Sequence, residues 1–237
     1  MQTIESHSKS AGPGCSPLET PLYGIGEVAH YLALPRSTVQ SWVKGGEHFQ
    51  PVIAAADEAQ WILSFQNLQE VFVLSSLRRR YGVKLNAVRR ALDYMRDRFG
   101  TAHPLSDSSF FTDGRNIFVE QLGRLIDVST GGQLAMKKVL DEYLKRLALN
   151  QGVAVRLYPY STSRPYGPDS PESPRVVVID PVLVFGQPCI EGTRIPTSVI
   201  AERHRAGDRI AHLAADYGCE ADRIEEALRY ESTRTAA

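Results

Sequence analysis

The segment IGEVAHYLALPRSTVQSWV (residues 25–43) returns, in spacing, as RIAHLAADYGCEADRIEEAL (residues 209–228). Small or apolar residues stand at Ala29, Ala33, Val39 and Trp42 in the first copy and at Ala214, Gly218, Ile224 and Ala227 in the second, at intervals of 4, 6 and 3 in both. A helix-turn-helix needs that order. A small residue in the first helix admits the second helix, a small or glycine residue makes the turn, and two apolar residues seat the second helix. Any packed helical hairpin has the same needs, so spacing alone leaves the role of each copy open.

Charge separates the two copies. The first presents Arg36, Ser37, Thr38, Gln40, Ser41 and Lys44, with no acid between Glu27 and Glu47. These side chains suit phosphates and base edges. The second presents Glu220, Asp222, Glu225 and Glu226, with Arg223 and Arg229 interspersed. Carboxylates on that face repel a phosphate backbone. The first copy is therefore predicted to read DNA and the second to contact protein. Residues 23–100 carry ten Lys/Arg against seven acids, while residues 175–237 carry eight arginines against ten acids, which gives the two ends opposite net charge.

Outward from the first copy, residues 52–65 read as two strands turning at Asp57 and Glu58. Two helices follow. Leu68, Val71, Leu74 and Leu77 share a face of one, Leu85, Val88, Leu92 and Met95 a face of the other, and Gly100 stops the second. Arg78, Arg79 and Arg80 end the earlier helix, where they suit either the helix dipole or phosphate contact. SSFFTDGRNIFVE (108–120) reads as a hairpin at Asp113 and Gly114, and RLIDVS (124–129) as a strand. Residues 133–149 read as an amphipathic helix suited to dimer formation, and VAVRLYPY (153–160) as a strand. Five prolines in residues 159–174 mark a linker stiffened toward polyproline II.

The predicted organisation is α+β and mostly helical. It comprises a disordered tail (1–21), a winged helix-turn-helix (22–100), a small α+β dimerisation unit (101–160), a proline-rich linker (161–174) and a C-terminal helix-turn-helix domain with a leading strand (175–237).

Composition narrows the function classes. The chain has 237 residues, 43% of them hydrophobic, and a formal net charge of zero. Cys15, Cys189 and Cys219 form neither a CxxC pair nor a Cys/His ladder, which argues against disulfides and structural zinc and for a reducing, cytoplasmic setting. No apolar run reaches the roughly 18 residues of a membrane span, and the first twenty residues lack a secretory pattern. Asp180, Glu191, Asp208 and Asp216 have no metal-ligand rhythm, His30, His204 and His212 lack a matched Cys or Asp, and STGGQLAMKK (129–138) lacks phosphate-loop spacing. Catalysis, a cofactor and a metal are therefore not expected.

FGQPCIEGTRIPT (185–197) holds two glycines and two prolines. It reads as a rigid bracket. Gly186 and Gly192 supply unusual backbone angles, Pro196 starts a helix, Gly207 ends it and Asp208 caps the next. Ile190 and Ile195 anchor the bracket, whereas Thr193 and Arg194 stand out from it. Arg194 is either ordering the crossing or contacting a partner, arginine being enriched at interface hot spots.

Two resemblances extend this reading. Tyr23, Ile25, Gly26, Glu27, Val28, Ala29 and Trp42 lie in a stretch that resembles the winged-helix head of MerR-type regulators, over residues 22–99. That implies a second helix in the major groove, with residues 52–65 as the wing. Residues 176–230 closely resemble the domain-of-unknown-function 433 family, through Asp180, Pro181, Gly186, Pro188, Ile190, Gly192, Thr193, Arg194, Ile195 and Pro196, then Ala206, Gly207, Ile210, Ala214, Tyr217, Gly218, Ile224, Ala227 and Leu228. The joined arrangement resembles a VapB-type antitoxin. It implies a PIN-like ribonuclease toxin as partner, operator DNA, autorepression and a homodimer, with Arg194, Arg223 and Arg229 as candidate toxin contacts. A stand-alone MerR-like regulator and a protein-binding adaptor without DNA binding are the alternatives.

Overall fold

A computed structural model describes residues 16–47, 49–161 and 174–235. The expected tail up to residue 15 and the expected linker over residues 162–173 lie outside the described residues.

The chain opens with β1 (Tyr23–Gly24), α1 (Ile25–Tyr31) and α2 (Arg36–Lys44), followed by β2 (Ile62–Leu63), α3 (Phe65–Tyr81) and α4 (Leu85–Phe99). α5 (Arg115–Leu125), α6 (Thr130–Leu144), β3 (Leu147–Asn150) and β4 (Val153–Leu157) come next. β5 (Val177–Val178), β6 (Cys189–Ile190), α7 (Thr197–Arg205), α8 (Ile210–Tyr217) and α9 (Ala221–Thr235) complete the described fold, which is α+β and mostly helical. Three antiparallel pairs, β1–β2, β3–β4 and β5–β6, provide its strands.

α3 is the axis of the molecule. Leu68, Val71, Leu74 and Leu77 are fully buried as predicted, and Phe72 and Val73 on the other faces are buried too. A helix buried all round must satisfy its polar side chains internally. Gln69 donates to the Ala154 carbonyl at 2.9 Å, and Ser75 and Ser76 donate to carbonyls one turn back. One continuous core runs from Tyr23 to Ile179, while Ile190, Ile200, Leu213, Ile224 and Ala227 form a second, smaller one. Leu157 and Ile179, both of the larger core, exchange hydrogen bonds of 3.0 and 2.8 Å, and β5, just before Ile179, pairs Val177 with Ile190 of the smaller core.

Several local expectations are corrected. Residues 52–65 do not form a two-stranded hairpin. Ile62 and Leu63 pair instead with Gly24 and Tyr23, and a single bridge joins Asp57 to Ile62. The buried Asn67 side chain does the work of a partner strand, accepting from Ala56 N at 3.1 Å and donating to Ala54 O at 2.7 Å. Asp113 and Gly114 are helical rather than a strand turn. A π-helical turn, Phe110–Gly114, leads straight into α5 and puts Phe110, Phe118, Val119 and Leu122 into the core. Gly114 is needed there for closeness, since an added Cβ would lie 2.8 Å from the Ser109 carbonyl oxygen.

Ile126 to Ser129 is a loop with Asp127 at φ 52°, not a strand. The helix expected over residues 133–149 spans Thr130–Leu144, and Leu147–Asn150 pairs with Val153–Leu157 across Gln151 and Gly152. Both turn residues have positive φ, as a two-residue hairpin of this twist requires. Residues 16–21 of the expected tail are ordered, with Leu18 packed on the core and Gln66 N donating to the Leu18 carbonyl. Asp208 does not cap α8. It receives the Arg203 guanidinium at 2.6 Å, and Arg209 precedes the helix without a side-chain cap.

One buried pair makes stability depend on pH. His103 Nδ1 lies 3.1 Å from Oε2 of the buried Glu70. That hydrogen bond lifts the histidine pKa above its ordinary 6.5, against the opposing pull of burial and of Arg96. A raised folded-state pKa gives stability that is present in full below the unfolded value and is lost as pH rises through the folded one. The thermal midpoint is therefore expected to fall as pH rises from the ordinary histidine value through the raised one. His103→Gln should flatten that decline, as scanning calorimetry across the interval would register.

Candidate nucleic-acid interface and partner surface

The spacing echo is real in three dimensions. Ala29, Val39 and Trp42 are buried between α1 and α2, and Ile224 and Ala227 between α8 and α9. The turn positions match as well: Ala33 has φ 50° and Gly218 φ 61°. A non-glycine residue in the left-handed region needs outside support. Arg79 supplies it, donating to the Leu32 and Ala33 carbonyls at 3.2 and 2.9 Å. Arg78 donates to the Val83 carbonyl at 3.1 Å. These two members of the arginine run thus close the chain's own turns. The Arg79 contacts had no local signal in the sequence, because their acceptors lie 46 and 47 residues away.

On α2, Trp42 and Val43 face inward, and the Trp42 carbonyl accepts from Val52 N and Ile53 N at 2.7 and 3.1 Å. The opposite face carries the predicted residues. Arg36, Ser37, Gln40 and Lys44 are exposed, and Thr38 and Ser41 half-buried. Among the described residues, neither Arg36 nor Lys44 has a carboxylate partner. Lys44 Nζ stands 5.1 Å from the centre of the Trp61 ring, which holds the ammonium beside the 57–62 turn. Asp57 and Glu58 at that turn oppose phosphate contact there, so the positive potential belongs to α2 itself.

α9 occupies the place of α2 in the second copy and is used differently. Glu226, expected on the presented face, is buried, where it accepts from Ser161 Oγ and from Arg229. Arg229 also bonds Glu225 at 2.8 Å, and Arg223 donates to the Glu191 carbonyl. The end of α9 rests on α1. Tyr230 is fully buried and donates to the Tyr31 carbonyl at 3.0 Å, and Glu231 Oε2 lies 3.2 Å from His30 Nε2. Two of the three predicted partner arginines are thus engaged within the chain. Tyr230 and Glu231 were missed because the echo ends at Leu228.

Arg194 is exposed and, among the described residues, makes no hydrogen bond or ion pair. It borders a cavity of about 430 Å³ together with Arg156, Leu183 and Glu191. Cys189 is buried as expected. Its pKa is pushed up to about 11 by burial, with Asp180 adding to the effect, which keeps it a thiol at neutral pH. Among the described residues no group of three His, Cys, Asp or Glu is placed to hold a metal ion, and no helix is long and apolar enough to cross a membrane.

Comparison with known proteins places these features in a wider set. Residues 177–230 match the family described as "Protein of unknown function (DUF433)". Over 238 residues the chain is 28% identical to a Mycobacterium tuberculosis protein named "Putative antitoxin VapB45", covering 89% of this chain and 93% of that one. It is 26% identical to the uncharacterized protein Rv2308 of the same organism, over 91% of this chain and 92% of the other. The crystal structure of Rv2018 from Mycobacterium tuberculosis shares the fold, with a TM-score of 0.67 at 24% identity, over 89% of this chain and 98% of that one.

Proposed function

We propose that this chain is the DNA-binding antitoxin of a type II toxin–antitoxin pair. In this reading residues 22–100 form the MerR-like DNA-binding head and α2 lies in the major groove of operator DNA. Residues 101–160 make a homodimer, and residues 175–237 serve the partner side. The partner is a PIN-like ribonuclease toxin, the protein works in the cytoplasm, and it represses its own operon without catalysis of its own. The similarity to a protein named as an antitoxin, over nearly the full length of both chains, supports the partner side.

The observation that carries the DNA side is the contrast between the two copies of one scaffold. α2 leaves Arg36 and Lys44 exposed and unneutralised, whereas α9 is turned onto the chain's own α1. Each phosphate neutralised by a cation releases counterions and makes affinity fall with salt. Joint replacement by Arg36→Ala and Lys44→Ala should weaken binding to the chain's own upstream duplex by about tenfold or more. It should also lower the salt slope by roughly two phosphate contacts. Gel shift at several salt concentrations reads both. Unchanged affinity and slope would remove α2 from the interface.

A further inference from the structure

The loop that follows β5 presents an unusual surface. Val182 is 74% exposed and Phe185 82% exposed, the highest exposures among the described large apolar side chains. Water penalises both, and the backbone beneath them is strained. Val184 and Phe185 are consecutive non-glycine residues at φ 44° and 54°, the first of them β-branched. The strain is held by fixed contacts on either side. Asp180 Oδ1 accepts from Val182 N at 2.9 Å, and Gly186 N donates to the Leu183 carbonyl at 2.8 Å. Gly186 itself is wedged against Tyr23 and Leu22. The loop is thus a braced turn that throws Phe185 outward.

The surroundings extend this surface. Leu149, 51% exposed on β3, borders one open cavity with Val182 and Leu183. Leu183 and Arg156 separate it from the cavity that Arg194 borders. Of the acids nearby, Asp180 holds Arg156 Nε at 2.8 Å, and Glu191, whose Oε1 accepts from Tyr158 and lies 4.0 Å from Arg156 Nη1, borders the same cavity as Arg194. Arg194 is the exposed cation of this group and, among the described residues, makes no ion pair. An exposed aromatic beside an exposed guanidinium complements an apolar pocket bordered by a carboxylate, and aromatic and arginine side chains are the residues that dominate protein interfaces.

We propose that this braced loop, centred on Phe185 with Leu149, Val182 and Arg194 around it, is the docking surface for the protein partner. It takes this role in place of the arginines of α9. Phe185 enters an apolar pocket of the partner and Arg194 pairs with a carboxylate at its rim. The proposal rests on the antitoxin reading above.

The test co-expresses the full chain with the ribonuclease-class product of the adjacent reading frame and measures the affinity of the purified pair. Phe185→Gly suits the left-handed backbone and so leaves the fold intact, and Arg194→Glu reverses an exposed charge. Each is expected to weaken the pair by about thirtyfold or more, the size of a hot-spot loss, while melting temperature and binding to upstream duplex stay unchanged. If wild type and both variants bind alike, within about threefold, the loop is not the docking surface and the antitoxin reading stands. If the wild-type chain does not bind that product at all, the partner reading fails and this inference with it.

Discussion

Arg146→Met is expected to cost the fold about 3 to 5 kcal/mol, the range for removing one side of a buried charged hydrogen-bond network. Arg146 is 2% exposed. It follows α6 and donates through Nε to the Tyr158 carbonyl at 2.8 Å and through Nη2 to those of Pro159 and Pro174, each at 3.1 Å. Its guanidinium also stacks on Tyr160, 4.8 Å from the ring centre. Burial pulls its pKa down to about 10, which still leaves it charged at neutral pH. The bonded carbonyls stand on either side of the proline-rich segment, so one side chain ties the point where the chain leaves the main core to the point where it returns. Methionine fills the volume but orphans those acceptors. Arg146→Lys keeps the charge without the planar fork and should fall between the two. Urea unfolding orders the three proteins. A loss under about 1 kcal/mol for Arg146→Met would mean that the carbonyls find other donors.

Gly186→Ala should cost about 3 kcal/mol, from two additive sources. The left-handed backbone penalises a Cβ by roughly 1–2 kcal/mol, and overpacking adds about 1–3 kcal/mol. Gly186 has φ 72°, and a Cβ there would lie 2.2 Å from Tyr23 Oη and 2.7 Å from Leu22 Cδ2. Tyr23 cannot easily yield. It is 1% exposed and packs edge-on against Tyr31, whose carbonyl receives Tyr230. Among the described residues Tyr23 Oη is buried without a hydrogen-bond partner, so Tyr23→Phe removes the clashing atom at little cost. In the Tyr23→Phe background Gly186→Ala should be milder by about 1 kcal/mol or more, a coupling that a double-mutant cycle reads directly. Additive losses would show that the penalty is backbone strain alone.

Much of this was legible in the sequence because it depends on short-range spacing. The two packed helical pairs, the buried faces of α3 and α4, the stop at Gly100 and the polar face of α2 all follow from residues within one or two turns of each other. What failed was decided by distant partners. Asp113 and Gly114 look like a hairpin turn until Phe110, Phe118 and Leu122 are seen to need one common core. Residues 52–65 alternate like strands, yet Asn67 takes their backbone groups from a neighbouring helix. The use of α9 was least legible. Its acids suggested an outward face, but Glu226 is buried and Tyr230 seals the helix against α1, 199 residues away in sequence.

The central claim is that one scaffold serves twice, open on α2 and closed on α9. Hydrogen exchange of the full chain with and without its upstream duplex tests it most directly. Added duplex should slow exchange of side-facing amides in α2 and the turn before it, and leave α8 and α9 as they were. Slowed exchange in α8 and α9 with α2 unaltered would contradict the account.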